Sequence, residues 1–345
     1  SYSAAQFLFS PFWGSVSDRI GRRPGLMVGL VGNTVFFAMF GLANTLLIAL
    51  AARFMAGVFN GNLAVARAYI GDVSTPSQLT TRMGIIGAAF GLGFTIGPFI
   101  GGELSNPAGR WNFFVDTIFE TYPYLLPCIA AGGLSLISLV FAYFKLPESL
   151  PKSKRSTADS VKWSSRIGNS IKQSYSMLNN GSISIIIWIS MLFSFGFTIM
   201  HAVFILYTGM AVDLGGLGYN EAQNGRIFAI IGVAGILTQG ILIGPLSRRF
   251  GPAKLLPVSC VLSGLGLALI PYTNADWALI QLFLVVVLVA VGNGIFQPTS
   301  SSLLTTVAKR EGANLGVVMG AQESVSSFAR IISKRTYRFL CPHHY

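Results

Sequence analysis

Glu323 lies inside an otherwise apolar stretch, eight residues past Leu315, about 12 Å along a helix that rises 1.5 Å per residue. A carboxylate at that depth in an apolar helix is expensive to keep charged, and where one occurs it binds a cation or cycles a proton. A hydrogen-bonded structural glutamate is the other reading. Arg53 occupies a second apolar stretch, four residues before Gly57 and at least seven from the outer end of its segment, about 10 Å in. That depth makes full snorkelling awkward, so the guanidinium needs a partner or a wet cavity. Gln322, Asn60, Asn293, Gln297 and His201 add hydrogen-bonding groups on other apolar stretches. They can line a cavity for a solute or tie helices together, and His201 can also carry a proton. The run Gly14-Ser-Val-Ser-Asp18-Arg19-Ile-Gly21-Arg22-Arg23-Pro24 packs opposite charges into a tight turn. Gly21 supplies permissive φ and Pro24 suits a first helical turn. Asp18 can pair with Arg22 or Arg23, or sit at the positive N-terminal end of the helix that Pro24 begins. Asp72 can form an ion pair with this loop or stay solvated. The sequence holds no phosphate-cradling loop, no His/Cys ligand cluster and no nucleophile constellation. Neither a cofactor, a metal nor enzymatic activity is expected, and motion driven by ATP is excluded in favour of an ion or solute gradient.

The elements that carry these groups follow from composition. Of 345 residues, 52% are hydrophobic and 10% charged, against roughly a quarter charged in soluble domains. Such a chain cannot clothe a water-facing surface. Ten apolar segments are near the 20 residues that span a bilayer core: 1–17, 25–43, 46–72, 83–104, 123–144, 183–209, 222–246, 255–272, 277–307 and 315–333. Their unbroken runs predict helices rather than barrel strands. Lys and Arg number seventeen in one set of alternate loops and two (Arg110 and Arg226) in the other, which puts the first set in the cytosol. The net charge of +12 is thereby spread thinly beside anionic lipid, leaving no nucleic-acid surface. Cys128, Cys260 and Cys341 are too far apart for a ligand set. The polar stretch 145–182 reads as a basic cytosolic linker between bundles 1–144 and 183–333. Ile167, Ile171, Tyr175 and Leu178 recur there at helical spacing, giving either a surface amphipathic helix or a solvated strap.

The chain repeats itself. Gly14 to Gly21 matches Gly244 to Gly251 at an offset of 230, Asn60-Gly61 matches Asn293-Gly294 at 233, and Met83-Gly84 matches Leu315-Gly316 at 232. Two halves with one helix order are the pattern of parallel-repeat transporters. The Gly14–Arg23 loop resembles the signature of the major facilitator superfamily. Gly93-x-x-x-Gly97-Pro98-x-x-Gly101-Gly102 is similar to the antiporter motif of its drug/proton exchangers, and Arg53-x-x-x-Gly57 to its fourth-helix motif. Leu146-Pro147-Glu148-Ser149 also fits the tetracycline-efflux-like and zinc-induced-facilitator-like members. The resemblance covers Gln6 to about Ile332. It implies an all-α polytopic fold of two parallel-repeat bundles, with about ten spanning helices present and the first and twelfth of the family lacking. It further implies proton-coupled export of small organic molecules, as in multidrug efflux, by a monomer in the lipid bilayer, plasma and vacuolar membranes fitting equally. Proton coupling falls to Arg53 and Glu323, gating to the Gly14–Arg23 loop with Asp72, and the substrate cavity to Asn60, His201, Asn293, Gln297 and Gln322. A nutrient importer of the same fold, or an inactive truncated piece, are the alternatives. Residues 334–345, with their basic run, read as an aberrant or disordered tail.

Overall fold

The computed structural model describes residues 2–151, 153, 181–212, 216–219, 221–272 and 278–340. Among these residues every regular element is a helix. The amphipathic helix expected at Ile167–Leu178 lies outside the described residues.

In chain order the first elements are α1 (Tyr2–Ile20), α2 (Arg22–Gly41), α3 (Leu46–Phe59), α4 (Asn62–Val73), α5 (Pro76–Glu103), a single turn α6 (Ile118–Thr121) and α7 (Leu125–Lys145). Beyond the linker come α8 (Gly181–Gly209), α9 (Glu221–Leu237), α10 (Ile243–Phe250), α11 (Pro252–Leu269), α12 (Ala278–Arg310) and α13 (Leu315–Leu340). A π turn at Thr238–Leu242 joins α9 to α10. Seven stretches of the described residues are long and apolar enough to cross a membrane: Arg22–Gly41, Leu46–Val73, Leu125–Lys145, Gly181–Met200, Ile230–Phe250, Pro252–Leu269 and Phe283–Arg310. Their outward faces are apolar: Leu47 is 77% exposed and Phe144 75%, surface that lipid covers and water would not tolerate. The protein is a multi-pass membrane protein.

The matched loops have matched structures. Ser17 Oγ donates to the Gly14 carbonyl at 2.8 Å and Ser247 Oγ to the Gly244 carbonyl at 3.1 Å. Gly21 (φ 110°) and Gly251 (φ 76°) each turn the chain in the left-handed region before the next helix, where a Cβ would be strained. The repeat is thus visible in backbone geometry as well as in spelling. The second matched pair diverges. The segment read as one helix over 46–72 is broken at Asn60-Gly61, whereas Asn293-Gly294 lies within the continuous α12. Trp13 accounts for the break. Its indole N–H donates to the Val58 carbonyl at 2.6 Å, taking an orphan acceptor at the end of α3. A Cβ on Gly61 would stand 2.2 Å from the Trp13 Cβ.

The described chain forms two compact units. Unit 1 comprises 1–73, 98–187 and 307–328; unit 2 comprises 74–97, 188–306 and 329–345. Each contains helix from both sequence repeats, because close packing follows small residues rather than chain order. In unit 1, Gly14 of α1 meets Gly316 of α13 backbone to backbone; a Cβ on Gly14 would lie 2.0 Å from the Gly316 oxygen. In unit 2, Gly84 and Gly87 of α5 meet Gln239 in the π turn, where Cβ atoms would stand 2.5 Å and 1.3 Å from its oxygens. Unit 2 also buries a row of hydroxyls on α12, Thr299 to Ser302 and Thr305. Ser300 bonds Ser190 at 2.7 Å and Thr80 donates to Ser302 at 2.8 Å. The helix α13 runs on past residue 333, where the apolar pattern stops, to Leu340; the first proline after it is Pro342.

Candidate functional site

Unit 1 gathers most of the charges that the sequence singles out, in two places on α13. The first is its N-terminus. Arg22, only 1% exposed, follows the left-handed Gly21 and points back at α1. Its Nη2 lies 2.6 Å from Asp18 Oδ1 and its Nε 2.9 Å from Asp72 Oδ2, while Nη1 donates to Ser17 Oγ at 2.6 Å. Asp18 in turn accepts the backbone N–H groups of Gly316 and Val317, both at 3.1 Å. These are orphan donors in the first turn of α13, at the positive end of its dipole. The carboxylate reaches them because residue 316 has no side chain: a Cβ there would stand 2.2 Å from Gly14 O and 2.6 Å from Asp18 Oδ2. Asp18 pairs with Arg22, but the positive helix end it meets is that of α13 and not that of α2, whose first N–H groups Glu148 takes; Asp72 is an ion-pair partner of the loop rather than a solvated acid. Arg23 takes a different role, donating to the Tyr143 carbonyl and lying 5.8 Å over the Tyr143 ring. Arg19 is half-buried, without an ion-pair partner among the described residues.

Glu148 completes this cluster. Its carboxylate accepts Arg22 N–H at 2.8 Å and Arg23 N–H at 3.3 Å, capping α2 from a residue 125 positions away or more. No local pattern announces such a cap; only the Leu146–Ser149 step places an acid near the membrane face. Tyr69 donates to the Pro147 carbonyl at 3.2 Å and Ser149 to Asp72 at 3.4 Å, so the start of the linker is tied to α4.

The second place is two turns further along α13. Glu323 is 3% exposed, and its Oε2 lies 3.3 Å from Arg67 Nη1 on α4. The sequence counts Arg67 as the edge of a cytosolic basic loop. The structure puts it inside α4, with its side chain 12% exposed. Gln6 and Ser10 of α1 and Gln322 itself are buried around the same stretch, with Ser324 donating to the Phe7 carbonyl at 2.5 Å and Ser327 to Gln6 at 3.3 Å. Breaking a buried pair while both members stay charged costs several kcal/mol, on the order of 3–5. Removing the charge of the acid with a proton avoids most of that cost.

Arg53 and Glu323 are not brought together. Arg53 of α3 lies 4.3 Å over the Phe40 ring and lines a separate cavity with Tyr2, Asn33 and Asn60. Asn60 donates to the Tyr2 hydroxyl. In unit 2, Asn293 and Gln297 are half-buried on α12, and His201 is on α8 with its side chain outside the described residues. The antiporter-like glycines do not make the close helix contact that their spacing suggests. Gly93, Gly97, Gly101 and Gly102 have no described atom within 4 Å of an added Cβ. Among the described residues that contact is made earlier on α5, at Gly84, Gly87 and Gly91. The side chain of Pro98 is outside the described residues.

With this geometry in place, the comparisons with known proteins are specific. The Major Facilitator Superfamily model matches residues 1–333. Protein ZINC INDUCED FACILITATOR 1 of Arabidopsis thaliana is 28% identical over 301 residues, covering 78% of this chain and 62% of that protein. Major facilitator superfamily domain-containing protein 10 of Bos taurus is 27% identical over 345 residues, covering 96% and 69%. The crystal structure of the human organic anion transporter MFSD10 (TETRAN) has the same fold, with a TM-score of 0.80 at 22% identity over 99% of this chain and 76% of that one. The chain spans between 55% and 62% of the length of the plant proteins it matches.

Proposed function

Because the chain belongs to the major facilitator superfamily, we propose that it is a secondary transporter, not an enzyme, which exports small organic molecules in exchange for protons by alternating access. The two sequence repeats are its moving parts, and the 145–182 linker joins them. The observation that carries this reading is the buried Arg67–Glu323 pair. It ties α4 to α13 by two charges that cannot part cheaply inside a bilayer. A proton delivered to Glu323 removes the acid's charge and frees α13 from α4; its loss restores the pair. Gln6 and Ser10 of α1, buried along the same stretch, are uncharged, and Arg67 of α4 is an ion-pair partner of Glu323. The proton therefore trades against the Arg67 guanidinium. The Asp18–Arg22–Asp72 cluster holds the first turn of the same helix, so α13 is released at two points when the cytosolic side opens. Arg53 shares in the coupling, as its fourth-helix motif implies. Asn60, His201, Asn293, Gln297 and Gln322 supply hydrogen bonds to the solute, and the glycine pattern of Gly93–Gly102 favours the exporter over the importer.

The test is flux in proteoliposomes under an imposed pH gradient, with a carboxylate dye as solute. Gradient-driven movement that a protonophore abolishes, and that Arg53→Ala uncouples, supports the proposal. Movement indifferent to pH, or unaffected in Arg53→Ala, argues instead for a facilitator of the same fold.

A further inference from the structure

We propose that Arg53 and the cavity beside it hold the anionic group of the transported solute, a carboxylate. This names the substrate class and rests on the transport reading above. Arg53 is the eighth residue of α3 counted from Leu46, about 10 Å into a spanning helix. A cation at that depth demands a counter-charge or water. The described carboxylates nearest the helical bundle are committed elsewhere: Asp18 and Asp72 to Arg22, Glu103 to Arg110, Glu148 to the first N–H groups of α2, Glu323 to Arg67. Among the described residues none comes within 4.0 Å of the Arg53 guanidinium. Its neighbour is the Phe40 ring, whose centroid lies 4.3 Å from the guanidinium carbon, a cation–π contact that leaves the charge without a counter-ion among those residues.

Arg53 lines a cavity of about 120 Å³, room for several water-sized groups. Asn33, Asn60 and the Tyr2 hydroxyl contribute the rest of its polar wall. Two amides, one phenol and one guanidinium provide donors on three helices of unit 1 and no negative charge. Such a set matches a carboxylate, which a guanidinium binds in a two-pronged fork. A phosphate dianion would bring one more charge than the cavity neutralises, and a neutral or cationic head group would leave Arg53 unpaired. The apolar remainder of the solute would lie against the aromatic side of the same wall, where Phe36 and Phe37 stand.

The full chain, purified in detergent, is titrated calorimetrically with naphthoate and with its uncharged isostere naphthamide. The carboxylate should bind about tenfold more tightly, the equivalent of one charge-assisted pair in a half-dry site. Arg53→Gln should erase that difference, and Arg53→Lys should keep the preference at weaker affinity, because an ammonium lacks the fork. Equal affinity for the two probes in the wild type, or a preference that survives Arg53→Gln, overturns the proposal. If Arg53→Gln is not recovered folded, Arg53→Lys and Asn33→Leu decide: both must weaken naphthoate and spare naphthamide, and unchanged naphthoate affinity in both overturns it. Carboxylate-selective binding without flux in liposomes would sink the transport reading and leave this one standing; flux without charge selectivity would do the reverse.

Discussion

Arg67 and Glu323 are 256 positions apart and become an ion pair only in three dimensions. Glu323 is legible in the sequence as a buried acid, since an apolar run with one carboxylate admits few explanations. Its partner is not, because Arg67 looks like one more member of a cytosolic basic loop. The same limit hides the Glu148 cap on α2, which no spacing rule reaches. The pair makes a stability prediction. Arg67→Met leaves Glu323 buried without its cation, and the thermal midpoint should fall by several degrees, the equivalent of about 3–5 kcal/mol if the acid stays charged. The double variant Arg67→Met/Glu323→Met should recover most of that loss, as a differential thermal melt in detergent can show. A double variant no better than the single would mean that the two side chains do not depend on each other. Asp18→Asn should likewise weaken both its pair with Arg22 and its hold on the first turn of α13, so the melt should drop while Arg19→Gln, at a residue without an ion-pair partner among those described, stays within about 0.5 kcal/mol.

Helices and loops were foreseeable where one physical rule governs them. Most of the ten apolar segments fall on helices because span length and charge exclusion set their ends, although 46–72 divides into α3 and α4 and 222–246 is interrupted by the π turn. The turn glycines Gly21 and Gly251 coincide because only a left-handed residue closes that turn. What escapes is the use of small residues for close approach, since a glycine looks the same in a contact and in the open. Gly93-x-x-x-Gly97 has the spacing of a packing face, yet Gly84, Gly87 and Gly91 on the same helix make the contact. Alanine substitution separates the two sets. Gly84→Ala puts a methyl 2.5 Å from the Gln239 carbonyl and should lower the melting point by several degrees. Gly93→Ala and Gly97→Ala meet nothing among the described residues and should be neutral or stabilising by about 0.5–1 kcal/mol through helix propensity. If those two variants melt normally but lose gradient-driven flux, the glycines serve motion rather than packing. The Asn60-Gly61 break, in contrast, depends on Trp13; Gly61→Ala should disturb unit 1 as strongly as Gly84→Ala disturbs unit 2.

At the scale of the molecule, the repeat seen in spelling is also seen in the structure of its matched loops, with the bonds of Ser17 and Ser247 as its mark. Its two copies carry different chemistry. The first has Asp18 and Arg22 locked together; the second has Arg248 and Pro252 at the corresponding positions, which cannot form that pair. Among the described residues the buried ion pairs lie in unit 1, beside α13, while unit 2 packs apolar side chains with a row of buried hydroxyls and close glycine contacts. This asymmetry predicts that neutralising substitutions in the first loop abolish flux and those in the second, such as Arg248→Gln, reduce it less than about threefold. The most direct measurement of the central claim compares two modes in the same liposomes: accumulation driven by a pH gradient, and exchange of solute for solute at equal pH. In Glu323→Gln, accumulation should vanish while exchange persists, because the link between α4 and α13 no longer needs a proton to open. Accumulation that survives this substitution at wild-type rate would contradict the assignment of the proton to Glu323.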